Sequence, residues 1–389
     1  MLDRVIESIR DQKAGITNQS HSQQNGDFDK WVRYLKRCGI EDYFLDKFSR
    51  EEKLLLLSGF GATVRRNING KTRKQKLLGK TVRTAIGHIC SAFRENFREN
   101  PVLEPSGERS ILISRQIKGY IHEDPMTRHQ KCLPKRVFYD MLDDTTSSLT
   151  IAIAQLTTIA LFFGMRSCEF TTVPKPGKTK LLQLKDVRFF IGKREIETHE
   201  LNSVVPESVT VTFYRQKNGV KEAMISMHQS EDRLCPVKAF RDIVRRILSY
   251  PDQSMESSIN TVQFAGRILK ITPKVTLEHI RNTVAMIGEE ILGFGPNDVG
   301  NHSIRSSFAM FLILNGAEET IVQIQGRWKS RAFMDYVRPQ VNELSKELSK
   351  LMVQNSNFYT IPTQAKQLDP IRLHLQPQVN YINQNLFTV

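Results

Sequence analysis

The chain has 389 residues, 40% of them hydrophobic, so it can bury real cores, and its length suits two or three domains. Its formal net charge is +15, an excess of Lys and Arg that says nothing of fold but predicts attraction to polyanions, nucleic acid being the commonest. Five scattered cysteines (Cys38, Cys90, Cys132, Cys168, Cys235) without a C-x-x-C pair argue against a disulfide framework and a structural zinc site, and fit a reducing compartment.

Residues 1–13 suit a short helix, and Asp3, Arg4, Glu7 and Arg10 leave no apolar signal core. Residues 14–27 are polar and low in apolar content, so 1–27 is expected to be an N-terminal segment and linker. A helical domain is expected over 28–120. Trp31, Tyr34 and Leu35 share a face, a second helix lies around 51–57, and a third covers 81–97 with Val82, Ile86, Ile89, Ala92 and Phe93 on its apolar side. Between the second and third helices, and into the third, run Arg65, Arg66, Lys71, Arg73, Lys74, Lys76, Lys80 and Arg83, with no acid interrupting them. A run of this kind is most often a solvated face.

Residues 98–134 contain Pro101, Pro105, Pro125 and Pro134 and resemble a joint between domains, with 121–134 as the linker. A second domain is expected over 135–356, opened by a short helix at 137–142. The most apolar stretch of the chain, Leu149 to Phe163, is shorter than the roughly 20 residues a bilayer span needs, and Gln155, Thr157 and Thr158 interrupt it; it suits a helix at the centre of a core. Strand-like segments follow at 181–191 and 209–226. The second has Asn218-Gly219 between alternating apolar residues (Val209, Val211, Phe213; Ala223, Ile225), a strong hairpin signal. Pro236 opens another helix with Val237, Phe240, Ile243, Val244 and Ile247 on one side. Helices are expected at 277–292, 303–314 and 320–325, with Gly316 and Gly326 as C-terminal caps of the last two. Residues 331–353 are helical in pattern apart from Pro339, and 357–389 form a Gln-, Asn- and Pro-rich tail. The whole reads as a mainly α chain with a small antiparallel β-sheet in the second domain.

Several small groups carry chemistry. Gly164-Met165-Arg166-Ser167-Cys168-Glu169 ends the apolar helix and sets a cation and an acid three residues apart, costly after so apolar a helix unless the pair is used. His302 and Arg305 share a face if helical. Gly326-Arg327-Trp328 is followed, eight residues past the Trp, by Tyr336 between Phe333 and Val337. Lys217 stands before Asn218-Gly219, at a hairpin tip. Each has a bland alternative: a terminal salt bridge, a common pairing, a core tyrosine, a solubility lysine.

As an ordered set, Arg166, Lys217, His302-x-x-Arg305, Gly326-x-Trp328 and Tyr336 resemble the tyrosine recombinase (phage-integrase-like) family over about residues 135–341. Residues 28–120 match that family's DNA-clamping core-binding domain in kind. Gln216-Lys217-Asn218-Gly219, Leu234-Cys235-Pro236 and Gly326-Arg327-Trp328-Lys329-Ser330 resemble the eukaryotic mobile-element branch of Crypton and DIRS-type recombinases. The resemblance implies the DNA breaking-rejoining fold with an all-α core-binding domain, double-stranded DNA as partner, a dimer on a site and a tetramer in synapsis, no membrane, no cofactor and no metal. A nuclear location is implied if the host is eukaryotic, and the basic run becomes a set of phosphate contacts.

The implied chemistry suits the residue types. Arg166 and Arg305 would clamp the phosphate whose non-bridging oxygens gain charge, because guanidiniums are planar, bidentate and always charged. His302 would hydrogen-bond that phosphate and help manage the tyrosine proton. Trp328 stands where the family has His or Trp and can donate from its indole but cannot act as a base. Lys217 would protonate the departing 5′ oxygen, with Lys221 as the alternative, and Glu169 would orient Arg166 or His302. Tyr336 would attack and leave a 3′-phosphotyrosyl link that keeps the energy of the ester, so religation needs no ATP. Asn69-Gly70-Lys71-Thr72 lacks the upstream glycine of a phosphate-binding loop. Three other activities remain open: a type IB topoisomerase, a domesticated DNA-binding protein without catalysis, and a metal-dependent transposase built on three carboxylates. The helical series Val341, Leu344, Leu348 and Leu351 suits either a helix docked on its own domain or one donated to a neighbouring protomer.

Overall fold

The computed structural model describes residues 15, 18–67, 76–126, 130–174, 179–216 and 221–337. The chain divides into two units, Met1–Thr127 and Arg128–Val389. The expected helix at 1–13, the series from Val341 to Leu351 and the tail 357–389 fall outside the described residues.

The first unit holds four helices: α1 (Asn18–Arg37), α2 (Arg50–Arg65), α3 (Gly79–Glu95) and α4 (Ile111–Glu123). Helix α1 begins ten residues earlier than expected, inside the stretch whose polarity suggested a linker. Its first turns need no apolar face of their own because Trp31 and Leu35 anchor the later ones. Asp27 also ties it across to α3, its carboxylate meeting Nδ1 of His88 at 2.7 Å and Nζ of Lys30 at 2.7 Å. The Trp31 indole donates to the carbonyl of Tyr43 at 2.8 Å and meets the edge of Phe60. Ser49 and Glu52 form a capping box on α2. Val82, Ile86, Ile89 and Phe93 of α3 are buried as their periodicity required. Helix α4 occupies part of the Pro-containing stretch expected to be a joint, and buries Ile113 and Ile117.

Arg65 departs from the expected exposed basic run. It is 5% exposed, donates to the carbonyls of Leu77 at 2.6 Å and Tyr120 at 3.2 Å, and pairs with Asp124. Its guanidinium fastens the end of α2 to the start of α3 and the end of α4, so it is a structural rivet with no face for a phosphate. Arg66, Lys76, Lys80 and Arg83 are exposed, Lys76 lying 3.5 Å from Glu123. Lys71, Arg73 and Lys74 are outside the described residues.

The second unit is built round α6 (Ser148–Phe162), preceded by α5 (Lys135–Asp143). Ser147 and Thr150 cap α6. Its buried hydroxyls are satisfied internally, Thr157 and Thr158 both donating to the carbonyl of Ala154, while Gln155 accepts from Arg246 at 2.9 Å. After the short α7 (Ser167–Phe170) come β1 (Val187–Ile191), β2 (Arg194–Ile196), β3 (Ser208–Tyr214) and β4 (Glu222–His228), an antiparallel sheet in the order β2-β1-β3-β4. The expected hairpin is β3–β4, in register from Ser208↔His228 to Tyr214↔Glu222. Its tip, 217–220, carries Lys217 and is outside the described residues.

Helix α8 (Pro236–Leu248) starts at its proline and buries Val237, Phe240, Ile243, Val244 and Ile247, the face expected of it. A second hairpin, β5 (Thr261–Phe264) and β6 (Arg267–Lys270), was not anticipated. It turns on Ala265 and Gly266, both with positive φ, a two-residue loop whose sequence signal is weaker than Asn-Gly. Helices α9 (Pro273–Ile287), α10 (Glu289–Leu292), α11 (Ser303–Leu314), α12 (Glu319–Gln325) and α13 (Met334–Val337) complete the unit. The chain is mainly α with a small antiparallel sheet, as the periodicities require. No helix among the described residues is long and apolar enough to cross a membrane.

Asp232, before α8, accepts from Nζ of Lys135 at 2.5 Å, from the Tyr139 hydroxyl at 2.7 Å and from the Leu234 amide at 2.9 Å. The Lys135 hydrogen bond leads in holding its carboxyl down at about 2. A depressed carboxylate contributes stability above its unfolded value and loses it as pH falls through the folded one. Thermal unfolding of Asp232→Asn is therefore expected to converge on that of the parent between about pH 4 and pH 2. A constant difference across that window would contradict the assignment.

Candidate functional site

Two helix ends meet in the second unit. Helix α6 closes in a left-handed turn at Gly164 (φ 50°), with the Gly164 amide donating to Leu161 at 3.2 Å and that of Met165 to Ala160 at 2.9 Å. A Cβ there would lie 2.8 Å from the Phe308 ring, a second reason for glycine. Helix α12 closes in the same pattern, Arg327 donating to Ile324 at 3.0 Å and Trp328 to Gln323 at 2.9 Å. Gly326 is its C-cap, as expected, and is right-handed at φ −77°; the left-handed residue is the next one, Arg327 (φ 57°). Past the end of α11 the turn is left-handed at Gly316, at φ 77°, one residue beyond the cap Asn315. Gly326 is glycine for space: a Cβ would fall 1.6 Å from Cζ3 of Trp328. Gly326→Ala is thus expected to cost about 1–3 kcal/mol by overpacking and to shift the Trp328 emission. An unchanged urea midpoint with an unchanged spectrum would contradict this packing.

Carbonyls at both helix ends lack helical partners and carry the negative end of the macrodipole, so cations gather on them. Arg305, on the first turn of α11 and 2% exposed, donates from Nη1 to Gly164 and from Nη2 to Gly326 at 2.5 Å. Its guanidinium lies 4.3 Å from the centre of the Trp328 ring, which stacks on Phe308. Arg327, 6% exposed, reaches the carbonyls of Phe163 at 3.3 Å and Gly164 at 3.4 Å and lies over the Phe213 ring at 3.5 Å.

The acid at the centre is Glu169 on α7, 1% exposed. One carboxylate oxygen accepts from Nη1 of Arg166 at 2.9 Å; the other accepts from the Arg166 amide at 2.8 Å and from Nη2 of Arg327 at 2.8 Å. Glu169 thus contacts Arg166, one of the two partners expected for it. Burial pushes the Arg327 guanidinium down to about 10, so it stays charged at neutral pH. Burial, and then the Glu169 carboxylate, push the neighbouring Cys168 thiol up, which keeps it protonated.

The structure therefore brings Arg166, Glu169, Arg305 and Trp328 together and adds Arg327. Arg166 has the most open of the three guanidinium side chains, at 19% exposure. The pair expected to present two open forks presents one: both terminal nitrogens of Arg305 already hold carbonyls. His302, just before α11, is exposed, its amide donating to Gln130 at 3.1 Å. The backbone of Tyr336 lies on α13, whose neighbours Phe333 and Val337 are buried in one cluster with Ala309 and Met310 of α11. The Tyr336 side chain, like Lys217, is outside the described residues; Lys221 is exposed at the start of β4. Arg327 was missed as a site residue because the glycine before it carried the expectation of the turn.

Among the described residues no group of three or more His, Cys, Asp or Glu side chains gathers to hold a metal ion. Asp143 pairs with Arg233, while Asp144 accepts from Thr146 at 2.6 Å.

No family model matches the chain, and no curated protein matches it. Among solved structures it is similar to a Tn1549 transposon integrase in complex with transposon right end DNA, with a TM-score of 0.43 and 12% identity over 75% of this chain and 85% of that one. It is also similar to a lambda integrase dimer bound to a COC′ core site, with a TM-score of 0.44 and 14% identity over 86% and 93%. A third is the XerH site-specific recombinase bound to difH substrate, with a TM-score of 0.42 and 15% identity over 82% and 76%.

Proposed function

We propose that this protein is a site-specific DNA recombinase that cuts and rejoins DNA through a 3′-phosphotyrosyl link on Tyr336, in the service of a mobile element of the Crypton and DIRS kind. The observation that carries this reading is the charge balance of the buried site. Two guanidiniums (Arg166, Arg327) share one carboxylate (Glu169), and a third, Arg305, meets Arg327 on the Gly164 carbonyl, leaving two positive charges in excess where water is scarce. Like charges so placed are relieved by a compact anion, and the partly open Arg166 fork suits two oxygens of a phosphate.

In the reaction, the Tyr336 phenol oxygen bonds to phosphorus as the bond from phosphorus to the 5′ oxygen breaks. The phenol proton leaves with help from His302, and the departing 5′ oxygen takes a proton from Lys217 or Lys221. Arg166 meets the non-bridging oxygens with its open fork, while Arg305, held on the Gly164 and Gly326 carbonyls with Trp328 packed against it, adds its positive charge to the field of the site. The link stores the ester, so a free 5′ hydroxyl can reverse the step on the same or another strand. The exposed Arg66, Lys76, Lys80 and Arg83 of the first unit would hold the duplex by its phosphates, with a dimer on each site and a tetramer in synapsis. In a eukaryotic host the place of action would be the nucleus.

The test is incubation of the full chain with a randomised pool of nicked duplexes in the presence of a chelator. A protein–DNA adduct that survives denaturation is expected. No adduct, or one that forms only with added metal, overturns the proposal. Relaxation of a supercoiled plasmid without exchange between two sites would instead assign the same chemistry to a topoisomerase.

A further inference from the structure

We infer that Arg327 is a positioning residue of this site, holding Glu169 so that Arg166 keeps an uncompensated charge for the scissile phosphate. The inference rests on the phosphate-cleaving reading above and deepens it. Its first support is the backbone. Position 327 is left-handed at φ 57° in a helix-closing turn, where glycine is favoured and a side chain is strained. Arginine occupies it nonetheless, and its side chain has partners there. The guanidinium lies on the Phe213 ring and reaches two carbonyls at the end of α6 and one oxygen of Glu169.

The second support is electrostatic. Arg166 and Glu169 alone form a closed, neutral pair: one oxygen takes the side chain of Arg166 and the other its amide. Such a pair has little left to offer an anion. Arg327 shares the second oxygen at 2.8 Å from a position only 6% exposed, so the trio carries a net positive charge. In buried surroundings a charge at this range is weakly screened. The open member of the trio, Arg166, is where that charge can be met. Arg327 itself touches no substrate in this arrangement; it acts through Glu169.

A structural staple and an electrostatic positioner differ in how they treat a neutral substrate. The experiment compares single-turnover adduct formation by the parent chain, Arg327→Met and Arg327→Lys. The substrates are a duplex selected by the parent chain from the nicked pool and the same duplex with a methylphosphonate, which lacks one negative oxygen, at the scissile position. Arg327→Met is expected to slow cleavage of the phosphodiester about tenfold to a hundredfold, the range typical of residues that support a contact residue, and that of the methylphosphonate less than threefold. Arg327→Lys, which restores the charge but not the fork, is expected to recover most of the loss. Equal slowing on both substrates, or unchanged cleavage of the phosphodiester, overturns the inference. If Arg327→Met does not fold, Arg327→Gln, which keeps a polar side chain without the charge, takes its place and is held to the same outcomes on the two substrates. A parent chain that forms no adduct overturns the underlying reading, whereas a parent adduct with indifferent variants overturns only the role of Arg327.

Discussion

Tyr336→Phe is expected to form no covalent adduct with nicked DNA while binding it as the parent chain does. On the function proposed above, removing this hydroxyl takes away the atom that bonds to phosphorus and leaves the ring. Phe333 and Val337, which seat α13 in the core, are untouched, so the variant should unfold at the parent temperature. The loss is one of kind: without the nucleophile the remaining cations can hold a phosphate but cannot conserve its ester energy. An undiminished adduct would sink Tyr336 as the nucleophile. The same substitution at Tyr359 and at Tyr381 would then find the residue responsible.

Glu169→Ala is expected to lower the stability of the second unit by about 3–5 kcal/mol, the usual consequence of removing one partner from a buried ion network. Glu169 is 1% exposed and accepts from two guanidinium groups and one amide. Without it, Arg166, Arg305 and Arg327 repel one another with no acid between them. Glu169→Gln, which keeps the shape and one oxygen, should lose less. The chain has two tryptophans, so in a Trp31→Phe background the emission of Trp328 reports on this unit alone during urea unfolding. A loss below about 1 kcal/mol would mean that the arginines are held by helix carbonyls and not by Glu169.

Elements whose signal is local were legible in the sequence. The apolar period of 236–248, with proline at its start, is helix α8 face for face, because one amphipathic helix on one core needs only its own spacing. The β3–β4 pairing followed from alternation on both sides of a turn dipeptide. Where composition stood in for periodicity, the reading failed: 18–27 is polar yet helical, since a helix anchored by Trp31 and Leu35 can carry a solvated turn at its start. Arg65 belonged to a basic run in sequence and to the interior in space, because an acid 59 residues away, Asp124, meets it there.

In the second unit the sequence by itself determined the components: an acid and a cation three residues apart behind an apolar helix, a His and an Arg on one turn, a Trp and a Tyr eight apart. Only the tertiary structure decided how they share charge. Arg327 meets Glu169 across 158 residues of chain, a distance over which periodicity carries no information. Which residue of Gly326-Arg327 takes the left-handed turn was likewise settled by packing. The Trp328 ring fills the space a Cβ at 326 would need, so glycine is required there at a right-handed angle. The turn then falls on Arg327, whose side chain has its partners at the end of α6.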